Sequence, residues 1–364
     1  MINMSKTYIG IDNKARKVRK MYVGIDNIAR RVKKAYIGIN NVAKCIFSSS
    51  ELYYYGTVSN LSQARQLLSA TTVGNYALFG GGNGGSPYST VDTYNNSLTK
   101  GVATDLSMGR NGLAATTIGN YALFAGGFDS TIVDTYNSSL TKGTAPDLSV
   151  GRSDISVTTV GNYALFGGGS NNTTVDYYNT SLTKGTATGL SVGKSYLAAT
   201  SVGNYALFGG GTNGSAYYST VDTYNNSLTK GTATDLSVGR RFLSATTVGN
   251  YALFGGGSSS SGYHSTVDSY NTSLTRGTVA NLLTGRDNLT ATSVGNFALF
   301  GGGFSPSNVV DTYDNYLTKG TTLNLSVGRF YLKATSVGNY ALFGGGASNL
   351  SGTYISAVDV YSID

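Results

Sequence analysis

The 364 residues include a single cysteine (Cys45), a single histidine (His264), a single glutamate (Glu51), three prolines and no tryptophan. One cysteine excludes an internal disulfide, so packing and hydrogen bonds must hold the fold. One histidine, with no second histidine or cysteine nearby in sequence, excludes the usual donor sets for a transition metal. No stretch keeps a helical apolar period over three turns, and no apolar run approaches the ~20 residues of a membrane span. The opening Met-Ile-Asn-Met-Ser-Lys has no apolar segment of a signal peptide, so neither signal-directed export nor membrane insertion is expected. Charge is unevenly spread. Residues 1–50 hold 11 Lys/Arg against Asp12 and Asp26, a net of +9, whereas 51–364 hold 15 Lys/Arg against 16 acids, a net of −1.

Glycine and aromatics are plentiful: 50 Gly, 28 Tyr and 13 Phe, the composition of short strands and tight turns. One phrase recurs seven times: VGNYALFGGG at 73–82, IGNYALFAGG at 118–127, VGNYALFGGG at 160–169, 202–211 and 248–257, VGNFALFGGG at 294–303 and VGNYALFGGG at 337–346. The successive spacings of 45, 42, 42, 46, 46 and 43 residues suit propeller blades and exceed those of leucine-rich repeats. Each unit reads as four strands: LxATTV, a Gly-Asn turn, YALFGGG, then TVDTYN, then LTKGTATDLSVGR ending in Arg or Lys. The last unit stops after its third strand. Residues 53–65, YYYGTVSNLSQAR, align without a gap on 228–240, so this N-terminal segment is expected to supply the missing outer strand and close the ring. The predicted class is all-β: a seven-bladed β-propeller of four-stranded blades over 48–364.

Ahead of it, 1–47 form a basic arm with a 14-residue period: TYIGIDNKARKVRK, MYVGIDNIARRVKK and AYIGINNVAKCIF, read as three β-hairpins or a six-strand meander. The seven units resemble kelch repeats in their di-glycine, their Val-acid-x-Tyr third strand and the Arg that ends each fourth strand. They depart in having Asp for the more usual Glu and a Gly-Thr pair such as Gly231-Thr232 where kelch blades carry Trp. The Tyr-Ile-Gly-Ile arrays of the arm resemble segments of structural proteins of phages and prophages of Gram-positive hosts. That resemblance implies a protein made in a bacterial cytoplasm and carried on a virion or extracellular particle.

Catalysis is not expected. His264 and Glu51 cannot complete an oxidase-like Tyr/His/Cys set or a sialidase-like arginine triad with its Tyr/Glu pair, and the GGG runs lack the helix and Lys-Ser/Thr of a phosphate loop. They are read instead as close backbone approach near the axis. No cofactor or metal is expected. The recurrent Asp and Arg are read as structural. The basic arm would suit phosphates, but its charges fall on the return strands of regular hairpins, so an outer face or docking on an acidic particle is preferred to nucleic acid.

Comparison among the seven copies locates the informative positions. The loop between strands two and three varies in length and content, and so do the two residues after each Arg or Lys. Both emerge on one face, while the near-invariant Gly-Asn and SLTKG turns emerge on the other. The variable face carries Tyr88, Phe128, Tyr196, Tyr217, Tyr218, Phe242, Tyr263, His264, Phe304, Phe330, Tyr331 and Tyr354. Drift of exposed loops is one reading. Recognition is preferred, because drift would also reach the opposite turns and because aromatics mixed with Ser, Asn and Gly resemble a paratope. The expected function is a phage or prophage structural protein, a homo-oligomer anchored through 1–47, whose propeller face binds a host-surface glycan or protein. The alternative is a scaffold that self-associates without an external ligand.

Overall fold

The computed structural model describes residues 51–363 except 305, 322, 350 and 351, and before them the backbone of six strands between 8 and 48. The chain forms two compact units, 1–53 with 363–364, and 54–362. In the first, Tyr8–Ile11 pairs with Lys14–Lys17, Met21–Ile25 with Ile28–Val32, and Lys34–Ile39 with Val42–Ser48. These are three separate two-stranded sheets. The 14-residue period therefore makes independent hairpins, not a continuous meander. The basic side chains of the arm and Cys45 lie outside the described residues.

The second unit is built from seven four-stranded antiparallel sheets with consecutive strands adjacent, and no helix occurs among the described residues. In the first blade the order from the axis outward is Ser69–Val73, Tyr76–Gly80, Val91–Asn95 and Lys100–Ala103. The first strands of neighbouring blades lie side by side around the ring, which closes where Lys333–Val337 meets Ser69–Val73. In the seventh blade the order is Lys333–Val337, Tyr340–Gly344, Val358–Ile363 and Leu52–Val58, so the N-terminal strand is the outer one.

Local sequence explains this geometry. Each first hairpin turns in two residues led by glycine, as at Gly74 (φ +55°), a backbone conformation that glycine adopts without strain. The YALF strand is buried on both faces because every blade packs between two others, which is why its apolar residues run on without alternation. Each Phe of this strand meets the third-strand Tyr of its own blade edge to face, as in Phe79–Tyr94 at 5.9 Å. The glycine ending the strand admits the next blade: a Cβ on Gly80 would stand 2.7 Å from the Phe124 ring. The two glycines that follow approach the backbone beside the axial opening, where a Cβ on Gly81 would stand 2.6 Å from Arg110 O and one on Gly82 2.9 Å from Gln66 O, so the GGG runs serve close approach both between blades and near the axis.

Six recurrent arginines and Lys194 form seven buried ion pairs with the recurrent Asp. Arg65–Asp92 (2.8 Å), Arg110–Asp134 (2.6 Å), Arg152–Asp176 (2.7 Å), Lys194–Asp222 (3.5 Å), Arg240–Asp268 (2.8 Å), Arg286–Asp311 (2.8 Å) and Arg329–Asp359 (2.6 Å) each join the end of one blade to the third strand of the next. Each arginine also donates to the carbonyl of the Phe in that next blade, at 2.9–3.1 Å. Burying two charges is costly unless their hydrogen bonds are made, and here the cation bonds both backbone and carboxylate. Arg65 completes the series from the closing segment, so an ion pair and a strand together seal the ring.

Candidate functional site

The two residues that follow each Arg or Lys form the rim of the axial opening. The second of them has positive φ in every blade: Leu67 (55°), Gly112 (65°), Asp154 (55°), Tyr196 (55°), Phe242 (54°), Asn288 (52°) and Tyr331 (54°). Their backbones are linked in a belt around the axis. Gly112 donates to Leu67 O (3.1 Å), Asp154 to Gly112 O (2.8 Å), Phe242 to Tyr196 O (2.9 Å), Asn288 to Phe242 O (3.0 Å), Tyr331 to Asn288 O (3.1 Å) and Leu67 to Tyr331 O (3.1 Å). The strand-two loops are tied to the same rim by bridges such as Gln66 with Asn83 and Asp287 with Phe304, so the variable segments do share one face.

Six of these seven left-handed positions carry a side chain where glycine would be unstrained, at about 1 kcal/mol or more each. Leucines such as Leu98 (φ 61°) in the opposite turns share that conformation, but Leu98 packs into the core between blades. The rim side chains have no such core. They surround a cavity of about 410 Å³ lined by all seven blades, continued along the axis by a second of about 210 Å³.

Asp154 and Lys333 are the charged residues lining the larger cavity. Lys333 begins the innermost strand of the seventh blade, a position held by Ser69, Ala114, Ser156, Ala198, Ser244 and Thr290 in the others, and it lines both cavities. The axial channel gives water access to its side chain while protein encloses it from the sides. Enclosure draws the Lys333 ammonium below its usual range, and the Asp154 charge opposes this. Burial raises the Asp154 carboxyl above its usual range, against a hydrogen bond from Tyr196 and the Lys333 charge. Burial and Asp154 push the Tyr196 hydroxyl up to about 12, so it remains a donor at neutral pH.

Of the twelve aromatic and histidine positions expected on this face, Tyr196, Phe242 and Tyr331 line the cavity. They head a continuous chain of rings: Tyr196–Phe242 (4.2 Å between centroids), Phe242–Tyr331 (6.5 Å), Tyr331–Phe330 (5.2 Å), Phe330–Phe304 (5.2 Å) and Phe304–Tyr263 (5.9 Å). Arg241 lies over both Tyr217 (5.5 Å) and Phe242 (4.9 Å). Phe330 requires a correction. It is 1% exposed, packed beneath its neighbours, and it supports the surface without forming it.

Tyr88, Phe128, Tyr218, His264 and Tyr354 lie away from the cavity. Phe128 is 62% exposed. The Tyr88 hydroxyl donates to Gly84 O (3.3 Å), and His264 Nε2 shares a hydrogen bond with Ser259 Oγ (2.8 Å). Burial and Arg240 draw His264 below its usual range, which favours the neutral ring. Among the described residues no group of three or more His, Cys, Asp or Glu is placed to hold a metal. Asp154 and Asn288 belong to the variable pairs that the sequence placed on this face but did not single out, and Lys333 was missed although it was visible as the charged exception at a position of small residues.

No known protein family and no curated protein sequence matches this chain. A solved structure described as "Structure of YjhT" aligns over 84% of this chain and 99% of its own length, with a TM-score of 0.55 and 11% identity. That likeness concerns the fold, a seven-bladed propeller.

Proposed function

We propose that this protein is a recognition subunit of a phage or prophage-derived particle. The arm at 1–47 anchors it, and the rim of a kelch-like propeller binds a glycan or protein on the host surface. One observation carries this reading: the positions that vary among the seven copies coincide with a rim where side chains are kept at left-handed backbone positions around an open cavity. Backbone strain of this kind, with no core packing to offset it, is characteristic of ligand-contacting surfaces. The ring chain from Tyr196 to Tyr263 supplies rigid aromatic area, and Asp154, Asn288 and Arg241 supply polar contacts beside it. The resemblance of the 14-residue repeats to phage structural segments supports the placement on a particle.

The test is adhesion of the purified, labelled full-length chain to a panel of Gram-positive cells. Changing Tyr196, Phe242 and Tyr331 together to Ala should abolish adhesion while the melting temperature stays within a few degrees. Undiminished adhesion by this triple variant would remove the rim as the recognition surface.

A further inference from the structure

The rim's sevenfold backbone is filled unequally. Blades three to seven contribute Asp154, Tyr196, Phe242, Asn288 and Tyr331 in succession, whereas the first two contribute Leu67 and Gly112. At these rim positions the charged and aromatic side chains therefore occupy one arc of the cavity, and the opposite arc carries Leu67 and Gly112 with the Asn111 amide beside them. Lys333, two residues after Tyr331, lines both the outer and the inner cavity. Among the described residues no hydrogen bond or ion pair engages its ammonium.

We propose that this cavity seats, end-on, the terminus of a neutral saccharide, with the Asp154 carboxylate and the Lys333 ammonium as the two poles that orient it. The inference deepens the recognition reading above and rests on it. A cavity of about 410 Å³ lies at the small end of the ligand-site range of about 300–1,000 Å³. It admits a small ring or chain end but no folded partner. The two charges lining it cancel, so a monoanion drawn to Lys333 meets Asp154 as well, and a monocation meets the converse. A sugar hydroxyl both donates and accepts. A ring of hydroxyls can thus satisfy Asp154, Lys333 and the Asn288 amide at once while its C–H face lies on Phe242 or Tyr331. The smaller inner cavity, about 210 Å³, favours entry by a chain end.

The experiment uses the full-length chain with methyl glycosides of neutral hexoses and N-acetylhexosamines as probes, and glucuronic acid and glucosamine as charged counterparts. Binding is read by saturation-transfer NMR and calorimetry. At least one neutral probe should bind. Asp154→Asn and Lys333→Met should each weaken it about tenfold or more, as expected for loss of a charge-assisted hydrogen bond. Tyr88→Ala, outside the cavity, should leave it unchanged, and thermal melts identify any variant that fails to fold. Phe242→Leu, which keeps an apolar side chain, should weaken binding severalfold and provides an independent check on the seat. Absence of binding by every neutral probe, preference for glucuronic acid, or full affinity in both charge variants would overturn the proposal. Adhesion to cells without saccharide binding would overturn the saccharide seat alone. Saccharide binding without adhesion would retain the seat and refute host recognition.

Discussion

Replacing Lys194 with arginine should stabilise the propeller by about 1–2 kcal/mol. Lys194 is the one lysine among the seven inter-blade cations, and its Nζ stands 3.5 Å from Asp222 Oδ2, against 2.6–2.8 Å for the arginines. It donates instead to Thr220 O (3.3 Å) and Oγ1 (3.1 Å). The fourth blade thus lacks the guanidinium-to-Phe carbonyl bond made in the six others, and Asp222 Oδ2 is buried without a hydrogen bond. Arginine should restore both contacts. A hydrogen bond involving a charged group contributes roughly 1.5–3 kcal/mol. Against this, guanidinium Nε atoms at these sites go unpaired, as at Arg110 and Arg240, which costs about 1 kcal/mol. A unit of this size gains about 1.5 °C in melting temperature per kcal/mol, so calorimetry should show a rise of about 2–3 °C. The reciprocal change Arg240→Lys should lower the melting temperature by a similar amount. If Lys194→Arg is silent and Arg240→Lys is silent too, the geometry of the clamps is not what ties the blades together.

Two further outcomes follow from the same structure. Tyr270→Phe removes a hydroxyl that donates to Thr234 O at 2.8 Å across a blade boundary and should cost about 1 kcal/mol, whereas Tyr361→Phe removes a buried hydroxyl without a hydrogen-bond partner and should be neutral or stabilising; urea midpoints distinguish the two. Affinity for a neutral saccharide should fall on both sides of neutrality. Asp154 protonates at a pH above its ordinary 3.8 and Lys333 deprotonates below its ordinary 10.5, so calorimetry across pH should find both limbs displaced inward. The stability sign for Asp154 is opposite. A carboxyl whose folded pKa is raised favours folding below the unfolded value and loses that contribution as pH rises through the folded one. Asp154→Asn should therefore leave the neutral-pH melting temperature unchanged or higher while weakening binding.

The blades were legible because a ten-residue phrase recurs with nearly fixed spacing, and closure was legible because 53–65 has the outer-strand pattern that the last unit lacks. The pairing of Arg with Asp was less so. Asp recurs in every unit and Arg in all but one, but periodicity cannot tell a pair within one blade from a pair between two, and packing selects the latter. On the rim, loop variation pointed to the correct face. It could not separate Tyr331 from Phe330, because the left-handed turn at Tyr331 sends one ring to the cavity and leaves the other beneath it.

Lys194 and Lys333 show how departures from the repeat divide. Both replace the residue that most other blades use, and neither stands out by composition. Lys194 keeps the carboxylate partner of its arginine counterparts at a longer distance, so the substitution weakens a shared structural device without altering its purpose. Lys333 replaces a small residue and has no counterpart in any other blade. It places a water-accessible charge in the axial channel, where nothing in the repeat requires one. A departure that preserves its contacts is tolerated drift. A departure that sets a charge in the channel without a hydrogen-bond partner fits the saccharide seat proposed above, which is why the axial cavity, and not Phe128 or Tyr263, is the place to test for one.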